Sequence, residues 1–194
     1  MNNPYPGCRC VAYPSVWRCR QTGFSLHDLI ITSAVAGVLT VSAIGMAGLV
    51  QDGRMTTKVN QLMADLSLAR SEAIKRNSNI VLCKSADGKS CSKAEAWNNG
   101  WIVFTDNNNN HVVDADETII RVQQALDEKL NLRYGETGTY YYVRYNPSGE
   151  AWPGATFSFC DNRGAEKAKA IIVYWSGRPR VSIKTSEGSP LSCS

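Results

Sequence analysis

The sequence predicts an α+β protein in which one long N-terminal helix packs on an antiparallel β-sheet head. Three features predict it: an uncharged apolar run over residues 29–50, an amphipathic run over 51–76, and short β-like runs separated by turns from residue 79 onward. The chain has 194 residues, of which 43 % are apolar and 20 % are charged. This composition excludes the disordered and fibrous classes.

Residues 1–23 form a basic leader. They contain Arg9, Arg18 and Arg20 and no acidic residue, so the remaining chain has 18 Lys and Arg against 17 Asp and Glu. The formal net charge of +4 therefore falls to +1 without the leader. This balance excludes a strongly basic, whole-surface nucleic-acid binder, and any anion site must be a local patch.

The apolar run over 29–50 has 22 residues without a charge, and about 20 residues span a bilayer as a helix. Arg18 and Arg20 precede it, which predicts a cytoplasmic N-terminus and a head on the other side of the membrane. A secretory signal peptide fits less well, because its apolar region is usually about 7–15 residues and no small-x-small cleavage site follows here.

Apolar residues continue at spacings of three and four beyond this run, at Met55, Val59, Leu62, Met63, Leu66, Ala69, Ala73 and Ile74. The pattern predicts a single helix over 24–76, roughly 80 Å long at about 1.5 Å per residue. Its first half would lie in lipid, and its second half would pack on the head formed by residues 77–194.

Eight short runs of β-forming residues follow, with turn residues between them. The predicted strands are Asn79–Lys84, Trp101–Thr105, Thr118–Val122, Leu130–Tyr134, Tyr140–Tyr145, Thr156–Cys160, Ala170–Trp175 and Arg180–Lys184. Their short spacing favours an antiparallel sheet over βαβ units.

The cysteines divide at the end of the leader: three precede residue 23, at Cys8, Cys10 and Cys19, and four follow it, at Cys83, Cys91, Cys160 and Cys193. No C-x2-C pair occurs and neither histidine is close to a cysteine, which disfavours zinc. Four cysteines permit three pairings. Separation and strand position favour Cys83–Cys91, closing a short loop, and Cys160–Cys193, tying the tail to a strand.

The junction between leader and helix is Gly23-Phe24-Ser25-Leu26-His27-Asp28. An acid beside an apolar segment is costly unless it is paired, although Asp28 could instead cap the helix N-terminus. An Arg-bearing leader, Gly-Phe, an acid five residues after the glycine and a long apolar helix resemble the type III signal of type IV pilins and type II secretion pseudopilins. The resemblance implies cleavage after Gly23 by prepilin peptidase and N-methylation of Phe24. Asp28, which replaces the usual Glu, would then neutralise the N-terminal amine of a neighbouring subunit.

The head carries W-N-N-G-W-I-V-F-T-D over 97–106, then S-F-C over 158–160, and G-R-P-R over 177–180. These runs resemble the GspH/FimT branch of the pilin superfamily, which implies the type IV pilin fold. FimT-type minor pilins of competence pili are similar in carrying G-R-x-R, and there the motif implies DNA binding during transformation. Secretion-system H pseudopilins share the fold without that role.

Basic residues are concentrated over 163–184, where six cations and the single acid Glu166 give a local net charge of +5. The six cations are Arg163, Lys167, Lys169, Arg178, Arg180 and Lys184. Gly177 allows the chain to turn before Arg178 and Arg180, whose guanidinium groups match phosphate oxygens. With few planar groups interleaved, the patch should bind double-stranded DNA through phosphates without reading sequence. The alternative is a solvated hairpin whose cations protect an edge strand.

Other chemistry has little support. Asp106, Asn108, Asn110, Asp114 and Glu117 have the spacing of a calcium loop, but His111 replaces the required glycine, so an Asx-rich turn is favoured. Neither His27 nor His111 suggests a catalytic arrangement. We expect no enzyme activity, no metal and no cofactor.

The leading hypothesis is a FimT-like minor pilin that contributes to DNA uptake. Its expected partners are other pilins, prepilin peptidase and DNA, and it would be a single-pass inner-membrane protein with a periplasmic head before joining a pilus or reaching the cell surface. The alternative is a structural H-type pseudopilin of a type II secretion system. A stand-alone membrane-anchored ligand-binding protein would require that Gly23 is never cleaved.

Overall fold

The computed structural model describes residues 9–13, 16–20, 25–135 and 139–193, and within residues 9–20 and 38–47 it describes the backbone alone. The chain divides into two compact units, Met1–Val50 and Gln51–Ser194. The first unit contains an antiparallel hairpin that the sequence did not predict, formed by β1 (Arg9–Tyr13) and β2 (Val16–Arg20).

Helix α1 extends over Leu26–Arg76 and contributes residues to both units. At its start the backbone N–H of Ser25 donates to Asp28 Oδ2 at 3.3 Å, the reciprocal half of a capping box. The helix ends before Asn77, whose positive φ of 51° is typical of a C-terminal cap. Within the described part of the chain, no helix combines the length and apolarity that crossing a membrane requires. Residues 38–47 of the predicted span lie outside the described side chains.

The strands of the second unit form two antiparallel sheets, whereas the sequence analysis expected one. The five-stranded sheet has the order β5-β4-β3-β7-β8 and the four-stranded sheet β11-β10-β9-β6. The strands are β3 (Ile80–Lys84), β4 (Trp101–Thr105), β5 (Ile119–Gln123), β6 (Leu130–Tyr134), β7 (Tyr142–Tyr145), β8 (Ala151–Trp152), β9 (Ala155–Asp161), β10 (Lys169–Val173) and β11 (Pro179–Ser182).

Six of the eight predicted strands differ from the structure by one or two residues at an end, and one strand of the second unit was not predicted. The strand expected over Ala170–Trp175 ends at Val173, because a turn follows in which the Gly177 N–H donates to the Tyr174 carbonyl at 2.8 Å. The strand expected over Arg180–Lys184 ends at Ser182. The two-residue strand β8 was not predicted, because so short a segment has no recognisable alternation.

The apolar stripe of α1 forms the centre of the core. Its buried members, each no more than 1 % exposed, are Met55, Val59, Leu62, Leu66, Ala69 and Ala73. They share one cluster with residues of both sheets, for example Val103 from the five-stranded sheet and Phe157 from the four-stranded sheet. Burial of each large side chain stabilises the fold by about 1.5–3 kcal/mol.

Asp65 is a buried carboxylate on this otherwise apolar helix face, 2 % exposed. Trp101 Nε1–H donates to Asp65 Oδ2 at 2.9 Å, and Arg121 Nε lies 3.3 Å from Oδ1. Burial raises the pKa of Asp65, against the opposing effects of the Trp101 hydrogen bond and the Arg121 charge. The carboxylate therefore connects α1 to strands β4 and β5 while carrying a desolvation cost.

Among the side chains that the structure describes, two disulfides are present, Cys83–Cys91 and Cys160–Cys193, each with a Cα–Cα distance of 5.7 Å. The second one lies in a small cluster in which Leu191, 4 % exposed, packs with Ala168 and with Ala170 of β10. The C-terminal segment is thereby fixed to the four-stranded sheet.

We predict that Asp65→Ala lowers the free energy of unfolding by about 1–3 kcal/mol, because the indole N–H of Trp101 would remain buried without an acceptor. Asp65→Asn should lose less, since its amide oxygen can accept the same bond.

A raised carboxyl pKa means that the folded state binds the proton more tightly, so stability falls as pH rises from the ordinary carboxyl pKa to the raised value. Asp65→Asn should remove that fall. Urea unfolding of the Gln51–Ser194 unit at several pH values measures both effects, and equal losses in the two variants would contradict the assignment.

Candidate nucleic-acid interface

The G-R-P-R run lies in the hairpin formed by β10 and β11, at the end of its turn and the start of β11. Strands β10 and β11 pair from Ala170 with Ser182 to Val173 with Pro179, and β11 is the outer strand of its sheet. Residues 170–173 are all buried, whereas most of β11 is at the surface. The buried strand therefore fixes the position of an exposed one.

Gly177 is required by a close approach of two turns. Its φ is +70°, and a Cβ at this position would lie 1.9 Å from the carbonyl oxygen of Gly149. That same oxygen accepts a hydrogen bond from Arg70 Nε at 2.9 Å, and the Ala151 N–H donates to the Trp175 carbonyl at 3.0 Å. The turn that presents Arg178 is thus packed against the turn between β7 and β8.

Arg178 and Arg180 are exposed at the surface of this hairpin. The guanidinium carbon of Arg180 lies 5.4 Å from the ring centroid of Tyr174, whose hydroxyl donates to the Ser186 carbonyl at 3.2 Å. Among the residues that the structure describes, no ion pair joins either arginine to a carboxylate. Lys184 is also exposed, but it follows Ser182, which pairs with Ala170, and so lies at the end of the hairpin away from the turn.

Two other cations of the predicted patch have internal partners. Arg163 is ion-paired with Asp161 and with Asp52, at 2.7 Å in each case. Its hydrogen bonds lower the pKa of both carboxyls and raise the pKa of the guanidinium. Lys169 Nζ donates to Thr56 Oγ1 at 2.7 Å.

The six cations are therefore not one continuous patch. Lys169 begins β10 and Arg178 precedes β11, so these two residues lie near opposite ends of the hairpin. The length of β10, with a rise of about 3.3 Å per residue, separates them by about 13 Å. Lys167 is exposed and lies towards the Lys169 end, where it interacts electrostatically with Asp52. Arg178 and Arg180 occupy the turn end.

Arg70 is a further cation at the turn end, and no pattern in the sequence indicates its position there. It lines a cavity of about 490 Å³ together with Ser67, Ser71, Ile74, Arg178 and Pro179. Arg70 belongs to the helix and is far from the hairpin in sequence. Only the packing of the hairpin turn brings the two arginines to one cavity.

The expectation that few planar groups accompany these cations was wrong. Tyr174, Trp175 and Trp152 are 40 %, 70 % and 63 % exposed, although tryptophan is usually well buried. Trp175 was predicted to lie in a strand, but it belongs to the turn before Gly177. Trp152 belongs to the unpredicted strand β8, so its exposure had no signal in the sequence.

The calcium-like loop has the hydrogen bonds of an Asx-rich turn. The side-chain amides of Asn108 and Asn110 donate to Asp114 Oδ2 at 2.7 and 2.8 Å. Asp106 accepts the backbone N–H of Asn110 at 3.1 Å, and Glu117 accepts that of Asn107 at 2.8 Å. The carboxylates of the loop are therefore hydrogen-bonded within it. No group of three or more His, Cys, Asp or Glu side chains suited to a metal occurs in the described ranges.

The predicted processing site lies outside the described residues, which begin again at Ser25 after residue 20. Asp28 is described and is exposed, in the first turn of α1. Its hydrogen bond with the Ser25 N–H is the capping geometry that the sequence analysis weighed against an assembly role.

Comparison with known proteins identifies the fold and the family. The minor type IV pilin FimU of Pseudomonas aeruginosa has a TM-score of 0.51 and 19 % sequence identity, covering 72 % of this chain and 99 % of the FimU chain. The minor pseudopilin EpsH from the type 2 secretion system of Vibrio cholerae has a TM-score of 0.48 and 14 % identity, covering 66 % of this chain and 96 % of the EpsH chain. No curated protein matches the sequence. The family model described as type II transport protein GspH matches residues 58–177, which is more than half of the chain. The chain therefore belongs to the GspH family and has the type IV pilin fold.

Proposed function

We propose that this protein is a minor pilin of a type IV pilus whose head binds DNA without sequence preference and contributes to DNA uptake in natural transformation. The observation that carries the proposal is the surface position of Arg178 and Arg180, which face solvent at an edge hairpin held rigidly by Gly177. Neither arginine forms an ion pair with a described carboxylate, whereas Arg163 is ion-paired with Asp52 and Asp161.

The arrangement suits phosphate binding for physical reasons. A guanidinium group presents several N–H donors in a plane and can bind two phosphate oxygens at once. The contact with the Tyr174 ring restricts Arg180 before DNA arrives, which lowers the entropy lost on binding. Arg70 adds positive charge to the cavity beside Arg178.

The strength of binding follows from the number of available cations. Arg178 and Arg180 are the main contacts. Lys184 and Lys167 are exposed at the end of the hairpin away from the turn and are peripheral. Arg163 and Lys169 contribute less because they have internal partners. About three neutralised phosphates on duplex DNA would give a slope near −3 for log K against log salt concentration. One head would bind weakly, and several heads in one fibre would bind by avidity.

Assembly into a fibre supplies the biological setting of the proposal. Prepilin peptidase would cleave after Gly23, Phe24 would be N-methylated, and residues 29–50 would anchor the subunit in the inner membrane with the head in the periplasm. Asp28 would then neutralise the amine of a neighbouring pilin, in exchange for its hydrogen bond with the Ser25 N–H. The head would reach the cell surface in a pilus.

A second candidate function is a structural H-type pseudopilin of a type II secretion system. The description of the matching family, a type II transport protein, favours this candidate. The two candidates share the fold and the processing signal. They differ in whether the β10–β11 hairpin binds DNA.

We predict that Arg178→Ala with Arg180→Ala weakens binding to a random-sequence DNA duplex by about tenfold or more at low salt, and makes the salt slope shallower by about 2. The full chain in detergent micelles would be titrated in an electrophoretic mobility shift assay. The matched control is Arg54→Ala with Arg76→Ala, which removes the same charge from exposed arginines of the helix. Unchanged binding by the first variant would reject the site, and no duplex binding by the wild type would favour the secretion role.

We predict that the mature protein begins at Phe24 and carries one additional methyl group on its amine. Intact-mass spectrometry of the protein from membranes that contain prepilin peptidase measures this directly. Gly23→Val should keep the leader, because the peptidase must accommodate the residue before the cleaved bond. A wild-type protein that retains residues 1–23 would support a stand-alone membrane protein instead of a pilin.

A further inference from the structure

Two exposed tryptophans lie together beside the turn that carries the basic motif. Trp152 and Trp175 line a common cavity of about 280 Å³, whose other walls come from Arg144, Asn146, Glu150 and Ala151. The side chain of Trp152 is 63 % exposed and that of Trp175 is 70 % exposed, so neither belongs to the core. An indole left in water on a rigid surface indicates a site for a planar or apolar ligand.

The positions of the two indoles are fixed by the backbone. Trp152 is opposite Arg144 in the register of β7 and β8, and the Ala151 N–H donates to the Trp175 carbonyl. Arg178 follows Trp175 by three residues through the turn that Gly177 closes on Gly149. The aromatic pair and the phosphate-binding arginines therefore share one end of the hairpin.

We propose that Trp152 and Trp175 form a stacking platform for unpaired bases, so that this head binds single-stranded DNA through base stacking as well as through phosphates. The inference deepens the DNA-binding function proposed above and rests on it. Successive bases of a single strand stack on exposed aromatic rings without sequence preference, while nearby cations bind the backbone. A duplex cannot use the platform in this way, because its bases are already stacked and paired.

The chemistry of the cavity favours bases over a protein partner. Three of its six lining residues are polar, one of them the cation Arg144, whereas a stable protein interface has a larger apolar centre. Glu150 is the one acidic group among the described residues of the lining, and its Oε2 accepts a hydrogen bond from Asn146 Nδ2 at 2.9 Å. Isolated rings among polar groups suit flat ligands that carry their own hydrogen-bonding edges.

The test compares strands that have the same phosphates and differ in their bases. The full chain in detergent micelles would be titrated with a fluorescent thymidine strand of about 12 nucleotides, with an abasic strand of the same length, and with a duplex. We expect the wild type to bind the thymidine strand about tenfold or more tightly than the abasic strand, with quenching of tryptophan fluorescence by the thymidine strand alone.

Two substitutions of Trp175 separate a loss of base stacking from a general loss of folding. Trp175→Ala should remove the difference between the thymidine and abasic strands and leave duplex affinity unchanged, because no charge is altered. Trp175→Phe keeps a ring and should retain most of the difference. Ile183→Ala, at a residue directly after β11 that is 73 % exposed, is the matched control and should behave as the wild type.

The outcomes distinguish this inference from the function on which it rests. Equal affinity of the wild type for thymidine and abasic strands overturns the platform and leaves phosphate binding in place. Normal single-strand binding by Trp175→Ala, together with a loss of pilus assembly, overturns it in favour of a pilin interface. Failure of every strand to bind overturns both proposals.

Discussion

The apolar stripe on the second half of α1 is the constraint on which the head depends. Six side chains from Met55 to Ala73 are almost completely buried, and one sheet alone does not supply the residues that cover them. Leu82 and Val103 of the five-stranded sheet and Phe157 and Ile171 of the four-stranded sheet belong to the same cluster. Because both sheets pack on this stripe, its burial also places the edge hairpin and its basic residues.

Polar contacts then determine the register of these packed layers. Asp65 is bonded to Trp101 and Arg121, so a shift of the helix along β4 and β5 would leave a buried carboxylate without partners. Arg163 connects Asp52 of the helix to Asp161 at the end of β9. Arg70 connects the helix to Gly149, on which Gly177 rests. A residue of the basic motif is thus held in place by the helix that organises the core.

The two interpretations of the basic hairpin are physically compatible. An outer strand with unpaired backbone groups is protected from pairing with other strands by its charged side chains. Arg178 and Arg180 provide that protection for β11, and the same exposed guanidinium groups are suited to phosphate. The exposed indoles of Trp152 and Trp175 are different, because edge protection needs charge and gains nothing from a large apolar ring. They are therefore the feature that edge protection leaves unexplained.

Much of the fold could be predicted from sequence alone, because helical and strand periodicities are local properties. Six of the eight positions of the predicted helical stripe are buried, whereas Met63 is partly buried and Ile74 is 49 % exposed. Strands β4 and β6 have the predicted bounds, and the expected pairing of Cys83 with Cys91 and of Cys160 with Cys193 is present. The division of the strands into two sheets could not be predicted, because it depends on contacts between residues far apart in the chain.

The candidate site divides in the same way. The sequence determined that cations are concentrated over 163–184 and that a glycine precedes Arg178. Tertiary structure decided which of these cations face solvent, since Asp52, one of the two partners of Arg163, and Thr56, the partner of Lys169, come from the helix. It also brought Arg70 and Trp152 to the hairpin turn. Composition is a property of the chain, whereas the availability of a charge depends on which distant groups the packed core places beside it.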